Sequence, residues 1–392
     1  MHTKLIMEHQ KTQTIISGLK EEMKQSLERP LFEYFKEDPK RVETMSVSAP
    51  YIFADFSKNL LSSKTFKRLC QIPRTLQIEE KIKNMFSGDN VNVTEIRPAL
   101  HTLLRKIETP TSPSLANKHA LCMKTLQQME SITREIHEGK RKSAFGERIT
   151  DVVSIGIGGS HLGSKLILDA LRKKTSQLNI HFLENADQNE IARVLHVLEP
   201  RNTLFLVASK SFSTGETLLN AIEAKKWLSQ SRPCPEELNK SFIGITNNSS
   251  AANAFGISTE NILPMWDWVG GRFSVWSAIG LPIALGRGMA TFHDFLAGAR
   301  EMDDHFLNSA VNSNLPIILA LLSFWNHNCL GAESYAVVPY CDNLRFFPSY
   351  LQQLEMESNG KSITLDGNEV SYNTAPTTWG GVGTASQHAF FQ

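Results

Sequence analysis

Residues 151–160 read DVVSIGIGGS, and the reading of this stretch decides the fold. A continuous apolar, β-branched run passes without alternation into a glycine loop that ends on Ser160. Such a run fits a strand buried on both faces, the pattern of a parallel sheet with helices above and below. Similar runs recur at NIHFLEN (179–185), NTLFLVAS (202–209) and SFIGIT (241–246), separated by helical segments such as GSKLILDALRKK (163–174) and ETLLNAIEAKKWL (216–228). Strands alternating with helices predict an open, doubly wound α/β domain whose ligand lies beyond the carboxyl ends of the strands.

Working outward, the 392 residues exceed what one hydrophobic core organises, so two domains with connecting helices are expected. Residues 1–115 read as a mainly helical segment that closes near TPTSPS (109–114), residues 116–288 as a first α/β domain, and residues 289–392 as the incomplete beginning of a second. In that last part Phe292, Phe295, Leu296, Ala299, Met302 and Phe306 share a helical face. NLPIILALLSFW (314–325) is apolar all round and reads as a buried helix, and SYAVVPY (334–340) reads as a strand.

Charge and cysteine usage exclude several classes. Lys and Arg number 41 against 40 Asp and Glu, which gives no electrostatic case for nucleic acid or an anionic membrane surface. Cys70, Cys122, Cys234, Cys329 and Cys341 are scattered and never in CxxC spacing, so a reducing compartment without a thiolate metal site is expected. The opening MHTKLIMEHQKTQ turns polar too early for a signal peptide, and no run approaches the roughly 20 apolar residues of a membrane helix. A cytoplasmic protein is expected.

Five segments could carry chemistry. In GIGGS the glycines let backbone N–H groups approach an anion or a sugar hydroxyl, but a purely structural tight turn explains them equally well; neither a P-loop nor the dinucleotide spacing is present. After NTLFLVAS, the hydroxyls of Ser211, Ser213, Thr214 and Thr217 near a helix N-terminus make a phosphate cradle, with an ordinary capping box as the alternative. Arg272, in WDWVGGRFSVWSAIG, is placed just before an expected helix start. It meets either an anion or, as a surface ion pair, Asp267. In FFPSYLQQLEMESNGK, Gln353 and Glu357 lie four apart on one helical face opposite a stripe of Phe347, Leu351 and Leu354. Glu357 then sits in the last turn, where the dipole opposes ionisation, as suits a general base; an exposed helix-end Glu is the alternative. His388 reads by itself as a solvated residue near a chain end.

Together these segments resemble the glucose-6-phosphate isomerase (phosphoglucose isomerase) family. The resemblance is carried by FADFSKNLL (53–61), NVTEIRPALHTLLR (92–105), IGIGGS, ASKSFSTGET (208–217), FLAGAREMDDHF (295–306) and QHAF (387–390), and most specifically by DWVGGRFSVWSAIG (267–280) and QQLEMESNGK (352–361). It implies two sugar-isomerase-type α/β domains, a homodimer, and interconversion of glucose 6-phosphate and fructose 6-phosphate with no metal or organic cofactor.

On this sequence the resemblance implies a phosphate site at Ser209, Lys210, Ser211 and Thr214, and sugar contacts at Gly159, Ser160 and Gln353. It implies Glu357 as the base that moves a proton between C1 and C2 through a cis-enediol, with Arg272 stabilising the developing negative charge. His388 would assist ring opening as a contribution from the other subunit. Ser211 and Ser213 replace threonines frequent in the family, Ser164 replaces a proline, and Ala385-Ser386 replace Asn-Gly. Family members also continue past this chain's end, through a lysine that assists ring opening, so TASQHAFFQ (384–392) reads as an interrupted helix of a truncated isomerase. A sugar-phosphate-binding fragment without turnover is the alternative.

Overall fold

A computed structural model of the chain describes residues 14–172, 178–231, 235–365 and 367–391. The opening segment 1–13, Cys234 and Gln392, on which sequence expectations rested, lie outside the described residues. The chain divides into two compact units. One comprises Met1–Pro98, Ala297–Val337 and Glu355–Trp379; the other comprises Ala99–Leu296, Val338–Leu354 and Gly380–Gln392.

The first unit is helical where the sequence reads as helical, with Lys20–Glu28, Leu31–Glu37, Ser63–Leu69, Ile78–Ser87 and Leu315–Phe324 around Met45, Leu61, Leu69, Ile318 and Trp325. It also holds an antiparallel hairpin, β1 (Ser46–Ala49) and β2 (Ile52–Asp55), in a stretch expected to be mainly helical. Tyr51 turns that hairpin with φ +60°, directly after Pro50, as a tight two-residue turn requires. The buried Arg41 is held by three carbonyls, those of Ser57 (2.6 Å), Asn59 (2.8 Å) and Leu61 (2.9 Å), so its donors are satisfied by backbone. Leu315–Phe324 is buried on one side only: Leu319 is 50% exposed, so its all-round apolar composition does not mean all-round burial.

The second unit contains a five-stranded parallel sheet of β3 (Asp151–Ile155), β4 (Asn179–Leu183), β5 (Thr203–Ala208), β6 (Phe242–Thr246) and β7 (Ile262–Pro264), in spatial order β4-β3-β5-β6-β7. Strand period 2 sorts its side chains between two cores. Val152, Leu204, Leu206, Ile243 and Ile245 face Met129, Ile132 and Ile136 of the helix Pro113–His137. Val153, Ile155, Phe205, Val207 and Phe242 face Ile191, Leu195, Ala221 and Leu228 on the opposite side. Burial on both faces is why the central strands β5 and β6 are almost wholly apolar, each fully buried side chain contributing about 1.5–3 kcal/mol, whereas edge strand β4 is only half-buried. Phe205 also stacks on Phe242, with ring centroids 5.3 Å apart.

The strand order places the site. From β3 the chain moves to β4 on one side and then to β5 on the other, so the winding reverses between β3 and β5. At such a switch point the two following loops diverge and leave a crevice at the carboxyl ends. The remaining strands, β8 (Ser334–Val337) and β9 (Thr377–Gly380), form a separate two-stranded sheet.

Candidate functional site

The loop after β3 is a 3₁₀ turn, Gly158–Ser160, leading into the helix Leu162–Ala170. Its glycines are sterically required. A Cβ on Gly159 would lie 2.2 Å from the Gly271 carbonyl carbon and 2.6 Å from Arg272 N, both backbone atoms. Gly158 has φ +56°, and a Cβ there would lie 2.9 Å from Gln353 Nε2. The turn is thus packed against the segment that carries Arg272 and against Gln353. Ser274, fully buried, reinforces the first contact, its hydroxyl lying 3.3 Å from the Gly159 carbonyl and 2.5 Å from that of Gly271. Ser164 donates to Ile279 O at 2.7 Å, a bond that proline could not make.

The loop after β5 holds the hydroxyl cluster. Ser209 Oγ and Thr214 Oγ1 are 3.0 Å apart, and Ser211 Oγ and Ser213 Oγ are 2.6 Å apart. Between them Phe212, almost fully buried, adopts φ +51° and anchors the loop in the second core while its neighbours face outward. The loop opens onto the N-terminus of the 17-residue helix Gly215–Ser231, where the dipole favours an anion. Lys210 reaches from this loop toward the Arg272 segment: its Nζ is 3.5 Å from Asp267 Oδ1 and 3.4 Å from Val269 O. Asp267 is also approached by Asn247 Nδ2 at 3.0 Å.

Arg272 lies in a 3₁₀ turn, Gly271–Phe273, and the next α-helix begins only at Leu281, so the helix start expected just after Arg272 is not there. Its guanidinium lies over Phe273, 5.2 Å from the ring centroid, and His101 stacks on that ring at 5.0 Å. Loss of hydration, with Arg105 nearby, holds His101 down to about 4.

Gln353 and Glu357 bound a π-helical turn, Gln353–Glu357, that interrupts the helix begun at Phe347–Gln352. The widened turn replaces the regular last α-turn expected from sequence, and such insertions occur often at functional sites. Glu357 is exposed, and its carbonyl accepts from Lys361 Nζ. The expected buried stripe is only half-buried at Phe347, Leu351 and Leu354, while Pro348 is buried. His388 is exposed in the last turn of Gly383–Phe390, a helix that begins five residues earlier than His388 itself. Gly383 starts that helix against Tyr340, whose ring a Cβ would meet at 2.5 Å.

The structure thus brings Gly159, Ser160, Arg272 and Gln353 together, and sets Ser209, Lys210, Ser211 and Thr214 beside them at the switch point. Glu357 belongs to the other compact unit. One grouping was missed in the sequence: buried His161, directly after Ser160, has Nε2 3.0 Å from Glu184 Oε2, and Lys165 Nζ lies 3.3 Å from Glu184 Oε1. The neighbouring imidazole, with Lys165, holds Glu184 down to about 2. Both partners were visible as residues, but only the pairing of β3 with β4 brings them together.

A profile described as phosphoglucose isomerase matches residues 55–392. The chain belongs to the phosphoglucose isomerase family. Among its relatives, the glucose-6-phosphate isomerase of Shewanella halifaxensis is 46% identical over 365 residues, covering 92% of this chain and 66% of the relative. That of Shewanella sediminis is 47% identical over 360 residues, covering 91% and 66%. The chain therefore spans about two thirds of the length of these relatives. A solved glucose-6-phosphate isomerase from Chlamydia trachomatis aligns with a TM-score of 0.85 at 28% identity, covering 94% of this chain and 71% of that one. Among the described residues no helix is long and apolar enough to cross a membrane, and no group of three or more His, Cys, Asp and Glu could hold a metal ion.

Proposed function

We propose that this chain carries out, as its phosphoglucose isomerase relatives are named for, the interconversion of glucose 6-phosphate and fructose 6-phosphate without metal or organic cofactor. The observation that supports it most is the juxtaposition at the β3/β5 switch point of a hydroxyl-rich loop on a helix N-terminus with a glycine turn backed by Arg272 and Gln353. Ser209, Lys210, Ser211 and Thr214 hold the phosphate, whose binding energy positions the distant carbons. Gly159, Ser160 and Gln353 contact the sugar. Glu357 moves the proton between C1 and C2, and Arg272 stabilises the enediolate oxygens, a base and a fixed charge of the kind this chemistry needs. His388, contributed by the second subunit of a homodimer, assists ring opening. The enzyme is cytoplasmic and takes neither nucleic acid nor membrane as partner, and residues 116–288 form its first sugar-isomerase domain.

A coupled assay of fructose 6-phosphate conversion tests the reading, with Glu357→Gln as the decisive variant. Turnover should fall by about 10²–10⁴-fold while sugar-phosphate binding stays within a few-fold. Wild-type turnover in that variant would remove Glu357 as the base. Binding with no turnover in the wild type would leave only a sugar-phosphate-binding module.

A further inference from the structure

A cationic cavity lies on the unit that holds the parallel sheet, beside edge strand β4. It has a volume of about 490 Å³ and is lined by Lys165, Arg172, Arg287 and Arg345, with Asp169 as its one carboxylate and Phe346 on its wall. Asp169, 7% exposed, is shared: Arg172 Nη2 and Arg345 Nη2, the latter at 2.8 Å, both bond the same oxygen, Oδ1, while Oδ2 is buried with no donor. Neither guanidinium lies flat on the carboxylate in the two-bond fork that such pairs prefer, so each keeps N–H groups that Asp169 does not use. Arg287 gives its Nη groups to the carbonyls of Leu168 (2.5 Å) and Gly286 (3.0 Å), and its Nε is buried without a partner. Burial and the adjacent Arg172 hold Arg287 below its ordinary range. Lys165 and Arg345 both approach the Phe346 ring, at 4.9 and 5.2 Å.

Two further carboxylates touch these cations, Glu184 at Lys165 (3.3 Å) and Asp342 at Arg345 (3.3 Å). Four cations then face three carboxylates, so the cluster still carries one positive charge in excess, and Arg172 and Arg345, 54% and 36% exposed, stay open to an anion from solvent.

We propose that this cavity is a second anion site, taking a phosphate group between Arg172, Arg345 and Lys165, independently of the hydroxyl loop after β5. Planar guanidiniums with spare N–H donors suit tetrahedral oxyanions, and the volume admits a small phosphorylated molecule.

Isothermal titration on the full chain tests this, with inorganic pyrophosphate and, separately, glycerol 3-phosphate, each in saturating fructose 6-phosphate to fill the first site. About one equivalent should still bind, at least tenfold more weakly in Arg172→Gln and in Arg345→Gln. Arg172 is 54% exposed, so its variant is expected to stay folded even if Arg345→Gln does not. Tighter pyrophosphate binding would identify an inorganic ligand, and tighter glycerol 3-phosphate binding an organic ester seated on Phe346. No binding, or binding unchanged in both variants, would overturn the proposal. Should fructose 6-phosphate fail to bind, two pyrophosphate sites should appear, only one sensitive to Arg172→Gln, so the two readings fail separately.

Discussion

Gly159→Ala isolates how closely the glycine turn must approach the Arg272 segment. The new Cβ would stand 2.2 Å from Gly271 C, 2.3 Å from its oxygen and 2.6 Å from Arg272 N. Ordinary contact begins near 3.4 Å, so the two backbones must separate by about 1.2 Å, and no side-chain rotation can relieve a clash with backbone. That shift would stretch the 3.3 Å contact from Ser274 to Gly159 and carry Arg272 with it. Overpacking of this kind costs about 1–3 kcal/mol of stability, and under the role proposed for Arg272 a displacement of about 1 Å should lower turnover about 10²-fold. Gly298→Ala is the control. Gly298 lies inside the helix Met289–Asn308 with nothing within 4 Å of its virtual Cβ, so alanine there should stabilise by about 0.5–1 kcal/mol. Urea unfolding and the coupled isomerase assay on both variants decide the matter. If Gly159→Ala matches Gly298→Ala in both, the packing argument is wrong.

Other perturbations probe separate parts of the molecule. Ser211→Ala removes one hydroxyl of the cluster after β5 and should raise KM about tenfold with kcat nearly kept; a collapsed kcat at unchanged KM would contradict phosphate binding there. Glu184 is held from its ordinary 4.5 down to about 2, so its stabilising contribution is complete above pH 4.5 and lost as pH falls toward 2. Glu184→Gln should therefore flatten that stretch of the stability profile, measured by acid unfolding followed by circular dichroism; an unchanged slope would separate Glu184 from the His161 pairing. Phe205→Ala empties a fully buried site between Phe242 and Trp227 and should cost about 3–5 kcal/mol in urea unfolding, with a loss under 1 kcal/mol arguing against the packing described.

Some features were legible in the sequence because local pattern determines them. Four strands of the parallel sheet, β3 to β6, were readable from their apolar runs, and the loops after β3 and β5 because glycine and hydroxyl clusters follow those runs directly; the three-residue β7 was not read, being too short to carry a pattern. Other features were not. The hairpin β1–β2 is short and partly exposed, so it lacks a strong apolar signature. The Leu315–Phe324 helix shows that composition alone cannot say which face is covered. The π turn at Gln353–Glu357 depends on an inserted residue within a helix-forming pattern that looks regular.

By itself, the sequence determined the parallel α/β class, the membership signalled by its motifs and the identity of the residues around the switch point, since each depends on residue type and short-range order. Only the tertiary structure decided the strand order that makes the switch point, the contact of Gly159 with Gly271 and Arg272, the pairing of His161 with Glu184, and the convergence of Arg172, Arg287 and Arg345 on one cavity. These join residues distant in the chain, and no local periodicity encodes which distant neighbours meet.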